Sequence, residues 1–171
     1  MEVERIKKED FDSFYKLLEQ DFPYEERKSR EDELEAFSHP NFHPYFVFKD
    51  NVFVGYFCHW DFNDFIFGEH FAIVKDLRDH GIGTEFLTQY LASIEKPIII
   101  EVEKPTTITA KRRINFYNRL GLVVNDCDYT QPSYHKDGSG VPMLILTYKK
   151  KITKEEFEKY NSIIRKEVYN L

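Results

Sequence analysis

The chain reads as an α/β (α+β) domain built on a mixed, mostly antiparallel central sheet with flanking helices. Three observations predict this. The first half carries short strand-like segments separated by turn residues, the pattern of an antiparallel meander. An amphipathic segment over residues 81–94 then lies between two apolar strand-like runs. A strand, a helix and a strand in that order make a crossover, which sets the two strands parallel. Finally, 171 residues suit one domain, taken as residues 1–171, with room for a sizeable core.

Taken in order, residues 2–6 form an opening strand. Over residues 8–20, Phe11, Phe14 or Tyr15, and Leu18 recur at helical spacing, with Asp10 and Asp12 near the start. Phe22-Pro23 interrupts, because proline disfavours helix in the residue before it. A charged helix is expected over residues 24–37, stopping near His39-Pro40. Residues 45–49, the turn pair Asp50-Asn51 and residues 52–61 read as a hairpin, and a third strand over 65–74 follows the Asn63-Asp64 turn.

The helix over residues 81–94 places Phe86, Leu87, Tyr90, Leu91 and Ile94 on one side. Pro97 then leads into Ile98-Ile99-Ile100-Glu101-Val102, an apolar run suited to a buried strand. A helix over residues 109–120 ends at Gly121. Strands over 123–129 and 143–149 close the sheet, with Pro142 just ahead of the last. A final helix over 154–169 starts from a Thr153 cap with Glu156 three residues on, a capping-box pattern.

Composition narrows the function. The 42% hydrophobic and 32% charged residues are ordinary for a soluble globular chain. The opening residues lack the apolar run of a signal peptide, and no apolar stretch is long enough for a membrane span. Cys58 and Cys127 stand alone, so neither a disulfide framework nor a metal site is expected, and a cytoplasmic setting fits. The net charge of −6 resides in residues 1–40, which hold seven Lys/Arg against thirteen Asp/Glu. That argues against a nucleic-acid partner there and could draw in cationic substrates, although a solvated acidic helix face explains it as well.

The informative segment is Ala72-Ile73-Val74-Lys75-Asp76-Leu77-Arg78-Asp79-His80-Gly81-Ile82-Gly83-Thr84. A strand ends, a polar turn carries Arg-x-x-Gly-x-Gly, and a helix begins. The first turn of a helix has open N–H groups and the positive end of the peptide dipole, and glycines let a phosphate approach them. A tight turn would use the same glycines. The dinucleotide fingerprint fails because position 86 is Phe, and a Gly-Lys-Ser/Thr ending is missing.

This turn resembles that of the GNAT superfamily of N-acetyltransferases, whose signature Gln/Arg-x-x-Gly-x-Gly/Ala is met by Arg78, Gly81 and Gly83. The family's later aromatic-Tyr-x-x-x-Gly ending appears as Phe116-Tyr117-Asn118-Arg119-Leu120-Gly121. The resemblance covers residues 43–149 and leaves the N-terminal helices as a variable, substrate-facing region. It implies the acyl-CoA N-acyltransferase fold with a splayed parallel strand pair, acetyl-CoA as co-substrate, and transfer to an amine of a small molecule or peptide. A homodimer would be in keeping with the family. By the same resemblance, backbone groups of Asp79, His80, Gly81, Ile82, Gly83 and Thr84 would hold the pyrophosphate, and those of Ile73 and Val74 the pantetheine arm. Lys75, Arg78, Lys111, Arg112 and Arg113 could offset its charge. Ala110 and Arg113 stand where the family often has Asn and Ala, so Arg113 would replace the asparagine's contacts.

Acetyl transfer to an amine needs a general base and a general acid. Tyr117 matches the family's acid position, although a core tyrosine would occupy such a helix equally well. For the base, Glu69 ranks first, since a carboxylate in the apolar run Phe65 to Phe71 is costly unless paired, exposed or functional. Desolvation there would raise its pKa. His70 would point to the opposite face of a regular strand. Glu101, on the neighbouring parallel strand, competes as base or as ligand for the substrate ammonium, and a water chain with no dedicated base ranks third. Tyr129, Gln131, Tyr134 and Glu26 are the candidate substrate contacts. A non-catalytic acyl-CoA-binding module of the same fold would share every cofactor feature.

Overall fold

In a computed structural model describing residues 1–136 and 138–171, β1 (Glu2–Arg5), β2 (Phe42–Lys49), β3 (Val52–Asp61) and β4 (Ile66–Ile73) form the expected antiparallel meander. Asp50 and Asn51 close the β2–β3 hairpin with φ of 51° and 62°, the left-handed pair that a two-residue hairpin turn requires. α3 (Ile82–Ser93) then crosses to β5 (Ile98–Glu103), which lies parallel to β4. After α4 (Ile108–Arg119) come β6 (Leu122–Val124), β7 (Tyr129–Gln131), β8 (Val141–Tyr148) and α5 (Lys154–Glu167). β8 inserts antiparallel between β5 and β6. Only β4 and β5 run parallel among the described strands.

Helices cover both faces. Phe14 and Leu18 of α1 (Phe11–Asp21), Ala36 of α2 (Arg30–Ala36) and Ile164 of α5 pack with Trp60 and Phe67 in one core. Phe86 and Leu91 of α3 and Ile114 of α4 pack with Phe57 and Ile66 in the other. Neighbours such as Ile66 and Phe67 serve opposite cores because strand side chains alternate. Phe14 is fully buried, and its truncation to Ala would cost about 3–5 kcal/mol. No helix among the described residues is long and apolar enough to cross a membrane.

Two elements depart from expectation. Residues 24–37 are not one helix: a 3-10 turn at Tyr24–Glu26 is followed by extended Arg27, and Ser29 caps a separate α2 by accepting from the Asp32 N–H. Breaking the helix there lets Lys28 turn inward, where it is 4% exposed. The strand over 123–129 is likewise split into β6 and β7, which both pair with β8. Between them, buried Asn125 donates through its side chain to Thr147 Oγ1 (2.8 Å) and accepts from the Ile152 N–H (2.9 Å), which fixes a break in the edge.

The parallel pair is short. β4 and β5 pair only at Ile66–Ile98, Phe67–Ile99 and Gly68–Ile100, although the strands run to Ile73 and Glu103. A Cβ on Gly68 would come within 2.9 Å of the Ile100 Cγ2, so glycine permits the last close approach before the strands separate. The splayed pair is therefore present, with Glu69 and Glu101 as the first residues past the fork.

Candidate active site

Sheet register explains what reaches the fork. Opposite β3, Cys58 pairs with His70 and His59 with Gly68, leaving Glu69 as the extra residue of a β-bulge. A bulge adds one residue to the alternation, so Glu69 and His70 share a face, contrary to the regular-strand expectation. Both line a cavity of about 180 Å³ between the separated strands, together with Glu26, Glu101, Tyr117 and Gln131. Tyr134, Arg78 and Arg113 complete the parts of its wall named by the sequence.

The two fork carboxylates differ. Glu69, with its side chain 1% exposed, is ion-paired with Lys28 and accepts from Trp60 Nε1 (2.7 Å) and the Tyr134 hydroxyl (3.0 Å). Burial alone would raise its pKa, but the Lys28 ammonium and the hydrogen bonds of Lys28 and Trp60 outweigh burial and hold the carboxyl below its usual value. The expected upward shift is thus reversed, because Lys28 folds in from a stretch that reads as an exposed charged helix. One lysine can neutralise one carboxylate. Glu33, fully buried with both carboxyl oxygens unpartnered, is pushed up to about 8, chiefly by burial.

Glu101 has no lysine or arginine bonded to it among the described residues. It accepts from the hydroxyl of Tyr129, from Gln131 Nε2 (2.9 Å) and from the Tyr169 hydroxyl (2.7 Å). Burial outweighs these neutral donors and pushes its pKa up to about 7. Tyr129 is 4% exposed, and its hydroxyl is directed to Glu101. It lies outside the residues that line the cavity and holds Glu101 by this bond. Gln131 and Tyr134 do reach the cavity.

Other expectations sort by backbone direction. Val74 is fully engaged: its N–H donates to Val54 O (2.9 Å), and its carbonyl accepts from Leu77 (2.9 Å). In an antiparallel pair successive residues turn their polar groups to opposite sides. The backbone of Ile73, opposite Gly55, therefore faces the splay, and that of Val74 does not. Arg78 donates from Nε to Ile73 O (2.7 Å) and pairs with Asp21. Arg113 pairs with Glu103 at the cavity wall. Both guanidinium groups are thus already engaged by carboxylates.

At the turn, Asp79 and Gly81 are left-handed, with φ of 65° and 77°. The first bond into α3 is Glu85 N–H to Gly81 O (2.9 Å), and Gly81 offers no side-chain cap. The amides of Ile82, Gly83 and Thr84 are left open, as an anion site requires. The two glycines differ in role. Gly81 is required by its backbone angle. A Cβ on Gly83 would meet Ile73 and Phe71 side chains at 3.4–3.6 Å, nearly ordinary contact, so the fold itself scarcely demands glycine there.

Tyr117, partly buried on α4, lines the cavity, and burial raises its pKa. The residues not anticipated are Lys28, Trp60, His70 and Tyr169. His70 Nε2 lies 2.9 Å from Glu26 O and must donate to that carbonyl, which leaves Nδ1 as a bare lone pair, buried and unpartnered. Burial lowers the His70 pKa and keeps the ring neutral.

Comparison with known proteins agrees with this architecture. The acetyltransferase (GNAT) family model matches residues 11–122. A protein of Bacteroides thetaiotaomicron described as a GNAT-family acetyltransferase superposes with TM-score 0.93 at 31% identity, covering 100% of this chain and 99% of that one. The ribosomal-protein-S18-alanine N-acetyltransferase of Escherichia coli superposes with TM-score 0.59 at 15% identity, over 90% of this chain and 96% of its own. An aminoglycoside 6'-N-acetyltransferase solved with coenzyme A gives TM-score 0.57 at 16% identity, over 86% and 96%. Among curated proteins, no sequence matches. With 31% identity over its whole length and the family model spanning α1 to β6, the chain belongs to the GNAT family of acetyltransferases.

Proposed function

We propose that this chain transfers the acetyl group of acetyl-CoA to a primary amine by direct attack, with Glu101 as general base and Tyr117 as general acid. The observation that carries the reading is Glu101 itself. It is a carboxylate at the fork of the parallel pair, tuned by burial to about 7, in the same cavity as the Tyr117 hydroxyl. A base needs its pKa near the working pH. Glu69, held ionised by Lys28, is the poorer proton acceptor and serves to anchor Lys28 and Tyr134.

In this reading the open amides of Ile82, Gly83 and Thr84 hold the cofactor's phosphates, and the splay-facing backbone of Ile73 aligns the pantetheine. Glu101 takes a proton from the amine as its nitrogen bonds to the acetyl carbon. The carbon–sulfur bond then breaks, and Tyr117 donates its proton to the departing thiolate. A buried phenol with a raised pKa remains protonated at neutral pH and available to donate. Burial also raises both cysteine thiols, Cys58 well above its ordinary value. This disfavours a thiolate nucleophile and supports direct attack.

Thiol release from acetyl-CoA tests the proposal. Tyr117→Phe is expected to lower kcat by about a hundredfold or more with the acetyl-CoA Kd unchanged, and intact mass should show no acetylated enzyme. Loss of cofactor affinity with kcat preserved would refute the assignment of Tyr117.

A further inference from the structure

The cavity wall has an unusual balance of charge and hydrogen-bonding groups. Five carboxylates meet it: Asp21, Glu26, Glu69, Glu101 and Glu103. Three are matched, Asp21 by Arg78, Glu103 by Arg113, and Glu69 by Lys28 from behind the wall. Glu26 and Glu101 have no bonded cation among the described residues, which leaves two carboxyl groups without a counter-charge facing one small space.

The neutral groups point the same way. Gln131 Oε1 is buried without a partner among the described residues. Its orientation is fixed, because Nε2 must donate to the Glu101 carboxylate. His70 Nδ1 is a second buried, unpartnered acceptor, its tautomer set by Nε2–H donating to Glu26 O. Both residues are more than nine-tenths buried and line the cavity. A buried acceptor without a partner is costly; both atoms are closed to solvent, so an N–H donor of a ligand would reach them only with a side-chain shift.

We propose that the acceptor is at least doubly cationic: besides the amine that attacks, it carries a second ammonium or guanidinium a short chain away, held at Glu26. This rests on the acetyl-transfer reading above and narrows its substrate. Glu101 receives the reacting amine, and Glu26 holds the second cation beside His70. The same wall disfavours a free carboxylate on the acceptor, which would face Glu26 or Glu101 without a counter-charge. Either a small diamine or a peptide amine beside a lysine presents this chemistry.

The test compares acceptors of one length and different charge: cadaverine, pentylamine and aminovalerate. A second pair is a short peptide with lysine after its N-terminal residue and the same peptide with norleucine there. Thiol release is read for each, and acetyl-CoA binding is measured separately by calorimetry. The expected result is at least a tenfold higher kcat/KM for cadaverine over pentylamine, or for the lysine peptide over its norleucine form, with aminovalerate poorest. Whichever pair shows the margin identifies the source of the second cation. In Glu26→Gln that margin falls towards one, while acetyl-CoA affinity is retained. If neither doubly charged acceptor exceeds its singly charged partner, or if the margin survives in Glu26→Gln, the inference is overturned. Failure of acetyl-CoA to bind at all would instead remove the reading on which it rests.

Discussion

The two ends of the cavity are built in opposite ways. At the end proposed for the cofactor, the candidate binding groups are backbone amides at the start of α3, presented by a turn of seven consecutive residues from Arg78 to Thr84. At the end proposed for the acceptor, the named groups are side chains, Glu26, His70, Glu101, Gln131 and Tyr134, drawn from four stretches of the chain. Amides held by a helix stay in place whatever the neighbouring side chains do. Side chains from distant segments hold position only through each other's bonds. The difference predicts that the cofactor end is sensitive to local bulk and charge, and the acceptor end to loss of remote partners.

The largest expected effect is at the turn. Gly83→Glu places bulk and negative charge where the open amides are proposed to hold the phosphates, and should abolish acetyl-CoA binding by calorimetry. Because a Cβ there meets only side chains near ordinary distance, the fold should persist by circular dichroism. Undiminished binding in a folded Gly83→Glu protein would break the contrast at its stronger end.

A second test removes a remote partner. Lys28→Met leaves Glu69 buried and unpaired, and such a loss costs about 3–5 kcal/mol in chemical denaturation. The sign with pH is fixed by the lowered pKa of Glu69. The pair's stabilisation is present above the unfolded carboxylate value, about 4.3, and is lost as pH falls through the folded one. In Lys28→Met that acid-side loss should vanish. A stability change near zero would mean that the acceptor end does not depend on this pair.

A smaller effect sharpens the comparison. Tyr169→Phe removes one donor to Glu101 (2.7 Å) without reaching the cofactor turn. Since that bond lowers the Glu101 pKa, the acid limb of kcat/KM should move to higher pH while acetyl-CoA Kd stays constant. A purely structural role would change stability and leave the limb in place.

The same contrast governs what could be read from the sequence. Arg78, Gly81 and Gly83 form a contiguous pattern whose physics is local, and the meander, the crossover and the capped final helix were equally legible from period and turn residues. The acceptor end was not. Lys28 lies in a charged stretch that resembles an exposed helix, and only the Ser29 cap and extended Arg27 turn it inward. The bulge that puts His70 beside Glu69 depends on cross-strand register with β3, which no single strand encodes. Tyr169 follows the last helix like any amphipathic position until folding brings it 2.7 Å from Glu101. The proposed reversal in rank of Glu69 and Glu101 as general base rests on these remote residues, which the sequence does not place.

The most direct test of the account is the pH profile of amine-dependent thiol release, measured for the wild type, Glu101→Gln and Glu69→Gln. The account predicts a wild-type kcat/KM that rises as pH passes about 7, where Glu101 ionises. It predicts a strong loss of rate and of that limb in Glu101→Gln, and retention of the limb in Glu69→Gln. A limb that survives in Glu101→Gln and disappears in Glu69→Gln would contradict it.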